Sequence, residues 1–150
     1  MASYFTIANI INKENAKLVI QMNKNKADLK KANDKRIADE NAMAIADAKA
    51  KAIADAKIVA EKRVYIKMHV MINTKIVAKD GLRYGLTPIT TLDCDKVIKI
   101  VNDNNYSDKK TLLQYLNSWK KKDFSNGVAQ HNYIWNKLGR GEGEAIALSK

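Results

Sequence analysis

Residues 36–59 read RIADENAM (36–43), AIADAKAK (44–51) and AIADAKIV (52–59), an eight-residue repeat that keeps Ile37, Ile45 and Ile53 in register and follows each with Ala and Asp. Every even position from Ala42 to Ala56 is alanine, the strongest helix former, and Lys and Asp fill much of the remainder. Strand propensity does not support reading that alternation as β. Eight residues turn a helix through roughly 800°, so each repeat drifts about 80° around the axis and the isoleucines spiral instead of keeping one seam. With alanine on all sides the segment stands as a helix by propensity but buries little area, which predicts a partly exposed helical stalk. Such a segment spaces or connects; it carries no chemistry of its own.

Working outward, no proline or glycine interrupts residues 13–79, and a helix over that range would extend ~100 Å at the standard rise. Leu18, Met22 and Leu29 recur at seam-like steps before the octads take over. A break or fold-back is expected, if anywhere, near Asn23, Asn25 and Asn33. Asn12 is the expected N-cap, with Glu14 in the first turn. Ahead of it, residues 1–12 form a short apolar head. Its Tyr4, Ile7 and Ile11 fit one helical face beside Phe5, suited to docking on a partner or folding back, with a frayed terminus as the alternative. Toward the far end, Val64, Ile66, Met68, Val70 and Ile72 alternate as a strand would; continuity with the alanine helix and the lack of a partner strand favour helix.

Asp80 and Gly81 signal a turn, and Gly85 and Pro88 continue the loop. Residues 80–150 then form a small helical module with a flexible tail. Thr90 and Asp93 resemble a capping pair for a first helix carrying Val97, Ile98 and Val101. Ser107 is the expected cap of a second, with Leu112, Leu113, Leu116 and Trp119, ending in Lys120, Lys121 and Lys122, whose charges suit the helix dipole. Asp123 or Ser125 caps a third, in which Val128, His131, Trp135 and Leu138 share one face and Gly139 marks the stop. The expected core of this module is Leu112, Leu116, Trp119, Phe124, Val128, His131, Trp135 and Leu138. The fold class is therefore all-α: a long Ala-rich helix, broken or not, followed by a three-helix module.

Composition narrows the functional classes. The chain has 150 residues, a single proline and six glycines, too few turn formers for an all-β domain. Its net charge of +11 is spread along the chain, at +3 for residues 1–42, +5 for 43–79 and +3 for 80–150. A diffuse excess favours nonspecific attraction to nucleic acid or anionic surfaces without marking a dedicated patch. Cys94 is the lone cysteine, so no intramolecular disulfide forms. No signal peptide and no apolar run long enough to span a membrane is visible, and the mature chain is expected to begin near Met1.

Ile66 to Gly85 (IKMHVMINTKIVAKDGLRYG), Trp119, Asp123-Phe124-Ser125-Asn126 and His131-Asn132-Tyr133-Ile134-Trp135 form a spaced pattern. Over roughly residues 66–147, including Gly143 to Ala145, it resembles an uncharacterised domain of unknown function from small Gram-positive bacterial proteins, with phage proteins the expected extension. The resemblance implies a fold and no activity. Members often carry an N-terminal membrane anchor and an acidic linker; here an alanine- and lysine-rich helix stands in place of both.

Within that pattern His69, His131 and Asn132 invite a catalytic interpretation. Two histidines and one cysteine cannot close a zinc site without carboxylates, and no C-x-x-C spacing occurs. A Cys94–His131 nucleophilic pair would require contact in space. The simpler expectation is a buried, hydrogen-bonded His131 with Asn132 bonded to loop backbone. Gly139-Arg140-Gly141-Glu142-Gly143 lacks the Walker lysine, and its glutamates would repel phosphate. Lys120 to Lys122 with Trp119, Phe124, Tyr133 and Trp135 mix cations and aromatics as single-strand binders do, although both tryptophans sit at core spacing.

These features lead to a non-enzymatic, self-associating helical structural or assembly protein, a phage virion component among the candidates, with no catalytic residue, cofactor or metal. Its expected partners are further copies of itself or a larger protein assembly, with nonspecific nucleic acid as an additional one. The expected location is a virion or the cytoplasm. The expected contact residues are Tyr4, Phe5, Ile7, Ile37, Ile45, Ile53, Lys120, Lys121 and Lys122. The alternative is a basic nucleic-acid-binding or host-interaction protein with a regulatory or anti-defence role.

Overall fold

A computed structural model describes residues 4–150; the first three residues of the apolar head lie outside the described residues. The described chain is helical, with one long helix α1 (Tyr4–Ile72), a 3₁₀ turn (Asn73–Lys75), strand β1 (Ile76–Ala78), helices α2 (Thr91–Asp103), α3 (Lys109–Lys120) and α4 (Gly127–Lys137), and strand β2 (Ala145–Leu148). Contacts divide it into two units, Met1–Ala52 and Ile53–Lys150.

In the first unit every described residue is exposed and helical. The helix begins at Tyr4, so Asn12 lies inside it and caps nothing, and it passes Asn23, Asn25 and Asn33 without a break. Side-chain bonding here is local: Glu14 pairs with Lys17 at 2.7 Å and Arg36 with Glu40 at 2.6 Å. Each such exposed pair contributes only tenths of a kcal/mol. Alanine and long-chain residue propensity, not packing, holds this segment helical.

The second unit begins inside α1. Its last turns bury Val64, Tyr65, Met68, Met71 and Ile72, steps of one, three and four that belong to a helix face, so residues 64–72 are helix despite their strand-like alternation. The helix stops at Ile72, short of residue 79. Thr74 Oγ1 donates to the Met71 carbonyl at 2.8 Å, satisfying a terminal acceptor. The β-branched pair Ile76 and Val77 then enters β1.

Gly143 to Leu148 is no flexible tail: β2 pairs antiparallel with β1, Ile76 opposite Leu148 and Val77 opposite Ala147, with a bulge between Val77 and Ala78. Helix α4 covers this ribbon, and Val128 packs on Ile76, Ala78 and Ala145, apart from the main core. Two strands this short need such cover to be stable.

The main core gathers the α1 end with Cys94, Val97 and Val101 of α2, Leu112, Leu116 and Trp119 of α3, and Ile134 of α4. Leu112, Leu116, Trp119 and His131 are buried; Phe124 and Leu138 are half-buried against the cluster. Trp135 is half-buried and outside that cluster, its indole N–H donating to the Glu142 carbonyl at 3.1 Å. Trp119, by contrast, donates its indole N–H to buried Gln130 at 2.7 Å.

Helix ends show which local signals prevailed. Thr90 caps α2, its hydroxyl accepting from Asp93 N at 3.0 Å. Ser107 does not cap α3: its N–H and hydroxyl both donate to Glu61 at 2.9 and 2.6 Å, drawing it to α1. Asp108 takes the N-cap position without a capping bond, its carboxylate accepting from Tyr65 at 2.6 Å and pairing with Lys137 at 2.9 Å. Asn126, not Asp123 or Ser125, precedes α4, while Asp123 accepts from Ser125 in a turn.

Helix α4 closes with Gly139 at φ 98°, donating to Asn136, and Arg140 donating to Trp135, a paired C-terminal stop. Helix α3 closes the same way, but Lys122 occupies the left-handed position at φ 61°. An L side chain there costs about 1 kcal/mol. Lys122→Gly is therefore expected to stabilise the protein by at most about 0.5 kcal/mol, after the extra chain entropy of glycine, roughly 0.5–1 kcal/mol, is subtracted, measured by urea denaturation.

Candidate functional site

The sequence-selected trio His69, His131 and Asn132 converges where α1, α4 and β2 meet. His131 is fully buried, and its ring lies 4.7 Å from that of His69, tilted by 40°. His131 Nδ1 faces Asn132 Oδ1 at 3.0 Å, and Nε2 faces Asn73 Oδ1 at 2.9 Å. Asn132 bridges to the backbone of β2, donating to the Ala145 carbonyl and accepting from Ala145 N, both at 2.9 Å. Asn73, just past α1 and 1% exposed, donates to the carbonyls of Tyr84 and Gly85 at 3.2 and 3.1 Å.

These bonds fix both carboxamides: turning either over would set nitrogen against a donor or oxygen against carbonyl oxygens. Both nitrogens of His131 consequently face acceptors. A neutral imidazole has one N–H, and only the imidazolium donates to both. Burial acts against that charge and holds the His131 pKa below its ordinary value, while the Asn132 bond acts to raise it. His69 is pushed down to about 4 by burial and by the neighbouring His131. Its Nε2 is buried without a hydrogen-bond partner. Charge and solvation therefore oppose each other inside one hydrogen-bonded cluster.

The cluster ties distant segments together. Arg83 donates to the Asn73 carbonyl at 3.2 Å, Thr87 N to Val70 O at 2.9 Å, and Asp80 accepts from Leu82 N and Gly143 N at 2.9 and 2.7 Å. Gly85 is required at this junction: its φ is 79°, and a Cβ there would lie 2.7 Å from Val70 Cγ1.

No cysteine nucleophile joins the cluster among the described residues. Cys94 is buried on α2, and burial, with Asp93 and Asp95, raises its thiol pKa, the opposite of an activated thiolate. Among the described residues no hydrogen bond joins it to His131, and no group of three or more His, Cys, Asp or Glu is arranged to hold a metal ion.

The proposed contact residues fall elsewhere. Tyr4, Phe5, Ile7, Ile37, Ile45 and Ile53 are all exposed along α1, Tyr4 at 94% and Phe5 at 83%. Lys120 is engaged within the module, pairing with Asp95 of α2 at 2.6 Å. Lys121 is the C-cap residue of α3, and with Lys122 it is exposed. Sequence inspection passed over Asn73. A lone asparagine after a long helix is an ordinary stop signal, and only the carbonyls of an 11- to 12-residue loop folding back reveal its bonding.

A helical module closed by a two-stranded ribbon and locked by a buried His–Asn cluster defines the class. The chain belongs to the family of unknown function DUF6241, whose profile matches residues 68–150. No curated protein and no solved structure matches it. No helix among the described residues is long and apolar enough to cross a membrane.

Proposed function

We propose that this protein is a non-enzymatic structural or assembly protein that self-associates through its N-terminal helix, with the module of residues 80–150 making a specific contact. One observation carries the proposal: Tyr4 to Ala52 is a continuous helix on which every residue is exposed, including Ile10, Leu18, Ile20, Met22 and Leu29 at 58–72%. Large apolar side chains left in water along a helix are an unmet demand for a partner. A particle component, such as a phage virion protein, suits a chain of this kind. Sedimentation equilibrium at micromolar concentrations is expected to return a dimer or larger species; a strictly monomeric mass would remove the proposal.

A second reading, contact with nucleic acid or a host factor, draws on the same helix. Lys24, Lys26, Lys30 and Lys31 form no salt bridge among the described residues and could face phosphates. Binding of that kind weakens steeply with salt. Filter binding that retains neither DNA nor RNA at low salt would exclude it.

A further inference from the structure

We propose that Tyr4 to Lys35 pairs with the same residues of a second copy of this chain, as a parallel, in-register two-stranded coiled coil. This rests on the self-association proposed above and specifies its geometry.

The helix carries a seam at coiled-coil spacing. Ala8, Asn15, Met22 and Leu29 recur every seven residues as a positions, and Tyr4, Ile11, Leu18, Asn25 and Ala32 fill the d positions, so the steps alternate four and three. The seam is wholly in water, with Leu18 at 61%, Met22 at 68% and Leu29 at 72% exposure. Phe5, Ile7 and Val19 flank it and widen the apolar stripe, while Ile10 and Ile20 lie off it. Its end is written in the sequence too. Arg36 and Asp39 are the next residues to fall on the seam, and the octads then carry their isoleucines about 80° away at each repeat.

Two amides interrupt the apolar seam, and they restrict how it can pair. In a parallel, in-register pair each meets its own copy, Asn15 with Asn15 and Asn25 with Asn25, and an asparagine at an a position is the best attested device for fixing register. In the single chain Asn25 Oδ1 accepts from Gln21 at 2.9 Å, which leaves its amino group for a partner. One antiparallel register also joins the amides, setting Asn15 against Asn25, Leu18 against Met22 and Ile11 against Leu29. Sliding that register by a heptad faces Asn15 with Leu18 or Ala32 and buries amides without partners, at a cost of about 1–3 kcal/mol for each orphaned group.

Flanking charges choose between the two registers that remain. The antiparallel one brings Glu14 beside Asp28 of the second copy, and does so twice by symmetry, so like charges meet on both ends of the seam. Parallel pairing instead sets Gln21 against Lys26 and Asp28 against Asn33, with Glu14 beside Val19. The first two couples match donor to acceptor, and no like charges meet before the seam ends at Arg36.

Single cysteines test this in the full chain, with buried Cys94 left in place and the parent chain as blank. Seam residues in register approach within disulfide reach, whereas outward positions do not. Under a glutathione redox buffer, Leu29→Cys is expected to form a covalent dimer at least about tenfold faster than Ile20→Cys. The antiparallel register would hold the two Leu29 positions well apart and instead cross-link Leu29→Cys to Ile11→Cys in a mixture of the two variants. All three sites are exposed, so folding is not at risk; circular dichroism and sedimentation equilibrium are run on each variant. If Leu29→Cys fails to cross-link with itself, if Ile20→Cys keeps pace with it, or if the mixed Ile11–Leu29 product dominates, while the parent still sediments as a dimer, the parallel seam is wrong and self-association stands. A monomeric parent would overturn both.

Discussion

Asn73→Ala is expected to lower the stability of the C-terminal unit by about 2 kcal/mol, because a buried histidine nitrogen loses its partner and two loop carbonyls lose a donor together. The Tyr84 and Gly85 carbonyls lose a donor, and His131 Nε2 loses its only contact among the described residues. An orphaned buried polar group costs about 1–3 kcal/mol, and the two carbonyls, on exposed loop residues, add less because water can replace their donor. Urea denaturation followed by tryptophan fluorescence measures the loss through buried Trp119. Hydrogen exchange adds the local readout: amide protection at Thr87, which bonds Val70, and at Lys79, which bonds Glu144, should fall in the variant. Asn73→Asp separates the two halves of the role. It keeps an oxygen for His131 but sets a carboxylate against two carbonyls, so it should destabilise the loop while raising the pKa of His131. A change within about 0.5 kcal/mol for Asn73→Ala would show that the cluster does not hold the junction.

Acidification from pH 6.5 to 4 is expected to remove roughly 2 kcal/mol of stability through His69. Its pKa is about 4 in the folded protein against an ordinary value of 6.5. Between those values the unfolded chain binds more protons than the folded one, so stability rises with pH and is lost as pH falls through the window. The full displacement would be larger at about 1.4 kcal/mol per pH unit, and the ring's half-burial reduces it. Carboxylates act lower. Backbone donors from Leu82 and Gly143 hold Asp80 below its ordinary range, and Ser125 does the same for Asp123, so their contributions vanish only below about pH 4. His69→Gln should make the upper part of the curve shallower, where His131, also held below its ordinary value by burial, still titrates, and leave the lower part intact. A wild-type protein equally stable at pH 6.5 and 4.5 would contradict the environment assigned to His69.

The parts legible in sequence are those set by nearest neighbours along the chain. The alanine octads, with no proline or glycine before Gly81, specify helix whatever surrounds them. The Thr90–Asp93 cap, the Gly139 stop and the steps of three and four through Leu112, Leu116 and Trp119 are likewise local. His69, His131 and Asn132 stood out as a group before any contact between them was visible. What escaped was every feature whose partner lies far along the chain. Strand β2 is four residues of which three are exposed, too short and too alanine-rich to declare itself until β1, 67 or more residues earlier, accepts its backbone. Ser107 has the chemistry of a cap and is drawn off by Glu61; Asp108 is claimed by Tyr65 and Lys137.

Sequence alone determined that this chain is helical, where its C-terminal helices lie, and which faces of α2 and α3 are apolar, because propensity and periodicity act within a few residues; on α4 the core residue is Ile134, not Trp135. Tertiary structure alone decided that α1 gives way at Ile72, that the C-terminus is a strand, and that Asn73 holds a buried histidine to a distant loop. Those outcomes depend on satisfying buried donors and acceptors, and which group meets which is settled only when the chain has folded back upon itself.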